Sequence, residues 1–260
     1  MIANDSHFEL RLATNARDIE AAQRLRYEVF VAELGGDGAM VDHENRLERD
    51  EFDPHYDHLV LVDRRRDAQA CDHVVGVYRL LPGERAAKIG RFYTESEYDL
   101  SPLKASGRRL LELGRSCVHV EYRGGTAMFH LWRGLAEYVR EREIEVLFGV
   151  ASFHGTDIAA LRLPLANLHH FHLAPPALRV RARPEHYQPM DLLPAAQVDR
   201  REALVQTPAL IKAYLRLGGF VGEGAFVDHA FNTVDVCLLM DTTQMSQRHR
   251  SYYSRHGGAA

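Results

Sequence analysis

Cysteine is scarce in this 260-residue chain: Cys71, Cys117 and Cys237 are far apart and odd in number. None has metal-ligand spacing, so the simple expectation is reduced thiols in a cytoplasmic protein rather than a disulfide framework or a zinc site. No apolar run reaches the roughly 18 residues that a spanning helix needs. The opening MIANDSHFEL lacks a basic segment followed by an apolar core, so no secretion signal is expected. Charge of one sign is also lacking. A formal net charge of −4 argues against a general nucleic-acid binder, although local basic patches remain open. Internal repeats and low-complexity tracts are absent.

What is present is the profile of a soluble globular protein, 46% hydrophobic and 26% charged. The length suits one large domain or two small ones. A single domain over 1–244 is expected, with a polar, disordered tail over 245–260. Phe8–Ala13 alternates as a strand, and Asn15 caps a helix that runs to about Leu34 and stops at Gly35-Gly36. The long acidic segment Gly35–Asp57 reads as a lid, a binding loop or a solvated stretch. His58–Asp63 and His73–Leu81 read as strands; an arginine inside a strand, such as Arg79, most often points to solvent. Glu145–Ala151 is apolar throughout, as a buried parallel strand should be. Asp157–His172 reads as a helix broken or kinked at Pro164. A short helix over Pro208–Leu217 and a closing strand pair, Phe220–Val227 and Thr233–Met240, complete a mixed α/β order.

The chain is organised around Leu110–Tyr138. A strand ends near Val120, Arg123-Gly124-Gly125-Thr126-Ala127 forces a turn, and Met128, Leu131, Trp132, Leu135 and Val139 follow at helical spacing. Strand, glycine turn and helix N-terminus together can cradle a phosphate, although the same pattern also makes an ordinary connection. Glu112 and Arg115 lie on the strand feeding the turn, and charges in an apolar strand need a partner or a job. His154 and Asp157 follow the next strand, where an acceptor-facing loop belongs. His169, His170 and His172 share a helix, but adjacent helical positions point about 100° apart, so no common metal ion is expected.

The order of elements, with a glycine turn after the fourth strand, resembles the GNAT-type N-acyltransferase fold: a mixed, mostly antiparallel sheet flanked by helices. RLRYEVFVAELG, Asp50-x-x-Asp53, VGVYRLLP and Glu112-x-x-Arg115 occur in the order of the motif blocks of acyl-homoserine-lactone synthases. YDHLVLVD, ELGRSCVH, YRGGTAMFHLWRGLAEY, FHGTD, LHHFHLAPP and the segment from Pro208 to Val236 are similar to L-ornithine Nα-acyltransferases, often labelled hemolysin-like. The resemblance covers roughly residues 8–240. It implies transfer of a 3-hydroxyacyl chain from the phosphopantetheine of acyl carrier protein to the α-amine of L-ornithine, giving lyso-ornithine lipid. Neither a bound cofactor, a metal nor a nucleic-acid partner is implied. The enzyme would be cytoplasmic and peripheral at the inner face of the cell membrane. The glycine turn is one residue shorter than the usual GNAT pyrophosphate loop, which fits a carrier-borne donor better than coenzyme A. An acyl-homoserine-lactone synthase and a non-enzymatic lipid-binding protein are the alternatives.

On the implied reaction, thioester aminolysis, Glu112 is the candidate base. Arg79 and Arg115 suit a substrate carboxylate, because the guanidinium fork matches that group. Asp50 and Asp53 are expected to hold a substrate ammonium, with Arg26 pairing with them. His154 and Asp157 are further candidates for substrate binding. Arg108, Arg109, Arg123 and Arg133 form an expected basic patch for an acidic carrier protein.

Overall fold

The computed structural model describes residues 7–243; the tail expected over 245–260 lies outside them. In chain order the elements are β1 (Phe8–Leu12), α1 (Ala16–Arg26), β2 (Asp57–Asp63), β3 (Val74–Pro82), α2 (Gly83–Ile89), β4 (Tyr98–Asp99), α3 (Ser101–Ala105), β5 (Leu110–Val118), α4 (Ala127–Glu141), β6 (Val146–His154), α5 (Ile158–His172), β7 (Arg181–Ala182), β8 (Tyr187–Gln188), α6 (Arg200–Gln206), α7 (Ala209–Arg216), β9 (Phe220–Val221), β10 (Ala225–Asp228) and β11 (Thr233–Asp241). They fall into two compact units. Among the described residues, the first takes 7–89 with Leu113–Arg142, and the second takes Gly90–Glu112 with 143–243. The division runs through β5, between Glu112 and Leu113.

In the first unit, β1, β2 and β3 pair antiparallel, with Leu10 opposite Leu61 and Val60 opposite Val77. Strand alternation splits the apolar side chains between two faces. Ala21, Ala22 and Leu25 of α1, with Val29, pack on Val60, Val62, Val74, Val77 and Cys117. On the other face sits α4, where Gly134 brings the backbone so close that an added Cβ would lie 2.6 Å from the Leu10 side chain. Asn15 caps α1, its side chain accepting from the Asp18 N–H. The single helix expected to reach Leu34 is α-helical only to Arg26; a π-helical stretch, Tyr27–Glu33, follows. Such widened turns are rare and recur at functional sites.

In the second unit, the first three residues of β5 pair in parallel with β6, placing Glu112 opposite Phe148. Antiparallel pairing then takes the sheet through β11, β10 and β8. Tyr98, 0% exposed, shares its hydroxyl hydrogen between the carbonyls of Gly224 and Asp235, fastening β4 to the turn before β10 and to β11. Pro164 does not break α5, which runs unbroken from Ile158 to His172. The expected strand Phe220–Val227 is interrupted by Gly222–Gly224. Helices α2 and α6 carry too little periodicity in seven residues each to stand out in the sequence.

Candidate active site

Three arginines and three acids meet in the first unit. Arg26, in the last turn of α1, donates from Nε to Glu48 at 2.5 Å and from Nη1 to Asp53 at 2.6 Å. Arg79, on β3, donates from Nη1 to Asp50 at 2.7 Å and to Asp53 at 2.7 Å. Arg115, on β5, reaches Glu48 at 3.1 Å and Asp50 at 3.7 Å. Gln23 adds a bond to Asp53 at 2.9 Å. Burial raises the proton affinity of Glu48, but the charges of Arg115 and Arg26 outweigh it and hold the carboxyl at about 2. Asp53 is held below the usual carboxylate range by Arg26 and Arg79 against the same burial.

Arg79 does not point to solvent; it is 0% exposed and lies over the Tyr56 ring at 4.4 Å. Its Nε and Nη2 are buried, with no hydrogen-bond partner among the described residues. That edge of the guanidinium is the one that accepts a carboxylate in a two-bonded fork. Across from it is Gly114, where an added Cβ would stand 3.8 Å from Nε, Nη2 and the Tyr56 hydroxyl. The next residue, Arg115, has φ +49° in mid-strand, a left-handed conformation that non-glycine residues avoid and that marks a local irregularity in β5. Asp50 and Asp53 are engaged by arginines, so an arriving ammonium would have to share them with a guanidinium. Glu48, not singled out in the sequence, is the acid that joins Arg26 to Arg115.

The glycine turn also lies in the first unit. Arg123 chelates Glu33 through two bonds of 2.6 Å and donates from Nε to the Val118 carbonyl. Gly124 has φ +76°, and α4 starts at Ala127 with Thr126 as its N-cap residue. Of the other arginines expected in a basic patch, Arg108 is bonded to Asp241 at 2.6 Å and Arg109 to Glu143 at 2.5 Å, both within the second unit.

In the second unit, Glu112 is 1% exposed. Its two oxygens accept the backbone N–H groups of Tyr93 at 3.0 Å and Thr94 at 2.6 Å. His154 is exposed at the end of β6. Asp157 is the N-cap of α5, accepting from Ala159 at 2.9 Å and Ala160 at 3.3 Å. His170 is bonded to the Leu193 carbonyl at 2.7 Å. Sequence reading missed a different group: Glu97, Asp228 and Asp235 offer carboxylate oxygens that all lie within 4.8 Å of one another. The available signal was Asp235 inside the apolar strand TVDVCLLMD.

The GNAT acetyltransferase domain family matches residues 25–133. A curated protein, the L-ornithine N(alpha)-acyltransferase of Rhodobacter capsulatus, is 65% identical over 255 residues, covering 98% of this chain and 98% of that protein. The chain belongs to the L-ornithine N(alpha)-acyltransferase family. Another member of this L-ornithine N(alpha)-acyltransferase family, from Brucella abortus, is 43% identical over 94% of the chain and 88% of its own length. Among solved structures, a CoA-dependent acyl-homoserine lactone synthase with MTA superposes with a TM-score of 0.52 at 16% identity, covering 98% of this chain and 90% of the other. At that identity the likeness shows the fold, which is GNAT-like. The family and the fold expected from the sequence blocks both hold.

Proposed function

We propose that this chain transfers a 3-hydroxyacyl group from acyl carrier protein to the α-amine of L-ornithine, releasing lyso-ornithine lipid. The observation that carries the reading is the 65% identity, over nearly the whole of both chains, to a protein named for acylating ornithine. The amine nitrogen attacks the thioester carbonyl, the C–S bond breaks, and the phosphopantetheine thiol leaves with a proton as the amide forms. Before attack the ammonium must lose a proton. Glu112 is the proposed base, acting through water, since a carboxylate that accepts two bonds keeps further lone pairs. His154 is the second candidate.

The partnerless Nε–Nη2 edge of Arg79 supports it as the anchor for the α-carboxylate, with Arg26, Asp50 and Asp53 holding the guanidinium in place and Arg115 beside them. Asp157 supports the acceptor loop by capping α5. The turn Arg123–Ala127, with the N–H groups that open a 15-residue helix, is the proposed seat of the phosphopantetheine phosphate. No helix among the described residues is long and apolar enough to cross a membrane. An amphiphilic product therefore suggests peripheral contact at the inner face of the cell membrane.

The test is purified protein with L-ornithine and either 3-hydroxyacyl carrier protein or the matching acyl-CoA, read by mass spectrometry. Acyl-ornithine from the carrier-bound donor is expected. Faster turnover with acyl-CoA overturns the donor, and a lactone or no product overturns the acceptor.

A further inference from the structure

The second unit presents a polar strip on one face of its sheet. Residues opposite each other in register share a face. Glu112 is opposite Phe148, Ser152 opposite Asp235, His154 opposite Thr233, and Thr233 opposite Asp228. Since Phe148, Ser152 and His154 are separated by even numbers of residues on β6, all of these side chains lie on the same side. The segment Phe92–Tyr98 crosses that face: the Phe92 ring meets Phe148 at 5.0 Å, Tyr93 and Thr94 bind Glu112, and Tyr98 binds the Asp235 carbonyl. Glu97 thereby joins Asp228 and Asp235. Cys237, on the same side of β11, has its thiol pushed up by burial and further by the charges of Glu97 and Glu112.

Three carboxylates within 4.8 Å of one another repel, and a cation among them relieves that repulsion. The cluster alone does not make a site. Thr233 supplies the independent observation: it is 9% exposed, and its buried hydroxyl oxygen has no hydrogen-bond partner among the described residues. It stands directly opposite Asp228 and two residues from Asp235, so the hydroxyl lies on the face the acids occupy. An ammonium group carries three N–H donors and needs oxygen acceptors and negative charge, as this group of four offers. Ser152 and His154, on the same face, are exposed and leave the strip open to solvent along β6.

We infer that Glu97, Asp228, Asp235 and the Thr233 hydroxyl form the subsite for the side-chain ammonium of the acceptor amino acid. This rests on the proposed ornithine reading and supplies its specificity. Asp228 also has a structural duty, with Oδ1 accepting from Ala230 at 2.8 Å and Phe231 at 3.0 Å. Asp228→Asn keeps one acceptor for that turn while removing the charge, and Thr233→Val keeps the branched shape while removing the hydroxyl.

The measurement is kcat/KM for L-ornithine divided by that for L-norvaline, which has the same carbon chain without the δ-amine. For Asp228→Asn the ratio is expected to fall roughly 10- to 100-fold, the worth of a charge-assisted hydrogen bond, and for Thr233→Val by several-fold. Asp50→Asn, at the other acidic cluster, should lower both rates together. A thermal shift on the unaltered protein needs no variant: ornithine should raise Tm more than norvaline at equal concentration. An unchanged ratio in Asp228→Asn, or a ratio lost only in Asp50→Asn, overturns the subsite. So does one equivalent of a divalent metal in the purified protein that Asp228→Asn loses. If the unaltered protein makes no acyl-ornithine, the underlying reading has failed instead.

Discussion

Glu112 accepts two backbone N–H groups at once, and this governs how its substitution must be read. Glutamine offers one carbonyl oxygen and sets an NH2 group against the second N–H, leaving a buried donor unmet at about 1–3 kcal/mol. Glu112→Gln should therefore lower Tm as well as depress turnover by roughly 10²–10⁴-fold, the usual worth of a general base. Turnover measured well below the variant's Tm separates the two effects; if it stays near the parent rate, His154 is the next residue to change. The arginine–acid cluster makes a second claim at this scale. Glu48, ordinarily near 4.5, sits at about 2, and Asp53 is also lowered. The unfolded chain therefore takes up protons that the folded chain refuses, so stability from these acids is complete above about 4.5 and drains away as pH falls toward about 2. Burial lowers His58 from 6.5, which adds a shallower loss that begins below about 6.5. Urea midpoints across this range should show the shallow decline before the steep one, and Glu48→Gln should flatten the steep part.

At the level of elements, the tightest constraint in the second unit is Gly224. It has φ +75°, and an added Cβ would fall 2.2 Å from the Tyr187 ring. Gly224→Ala combines a left-handed alanine with overpacking, so about 2–5 kcal/mol of stability should be lost. Gly218 has φ +89° with none of the described residues within 4 Å of the added atom, so Gly218→Ala should cost only the backbone part, about 1–2 kcal/mol. Urea midpoints of the two variants check the difference. Such contacts were invisible in the sequence, whereas the elements themselves were mostly legible. The apolar runs of β2 and β3, set around a charged turn, and the apolar stripe of α4 gave their ends to within a few residues. The π-helical turn after Arg26 was not legible, because YEVFVAE has the composition of any helix. The break expected at Pro164 does not occur, because a proline costs a helix one hydrogen bond without obliging it to end. The site was legible in its residue types only. Arg79 and Arg115 stood out as charges inside apolar strands, whereas Arg26, Asp50 and Asp53 entered through the resemblance to the family blocks. Which acid meets which arginine depends on folded backbone that no spacing encodes, and so Glu48 and the Glu97–Asp228–Asp235 group passed unnoticed.

For the molecule as a whole, the balance of charge and exposed apolar surface decides its partners. The net charge is −4. Arg108, Arg109 and Arg123, expected to steer an acidic carrier protein, are each held by an acid of this chain. Apolar surface points elsewhere. Phe92 and Tyr98 are buried in the second unit, at 4% and 0% exposure, and offer nothing to a bilayer. Phe171 is exposed near the end of α5, and α6 shows Leu204 and Val205 at 40% and 76% exposure. The Arg200 guanidinium lies 4.6 Å over the Phe171 ring. Apolar side chains beside an arginine are what a peripheral protein offers to an anionic bilayer, where the side chains enter the acyl boundary and the cation meets headgroups. The protein should co-float with anionic liposomes, less at high salt. Val205→Asp should cut the floated fraction several-fold without moving Tm, since a residue this exposed packs on little. Arg200→Gln should weaken flotation chiefly at low salt, where the screened charge term is largest. Equal flotation of Val205→Asp and the unaltered protein would place the contact away from α6, and failure of either to float with bound product would mean that the product leaves without membrane docking.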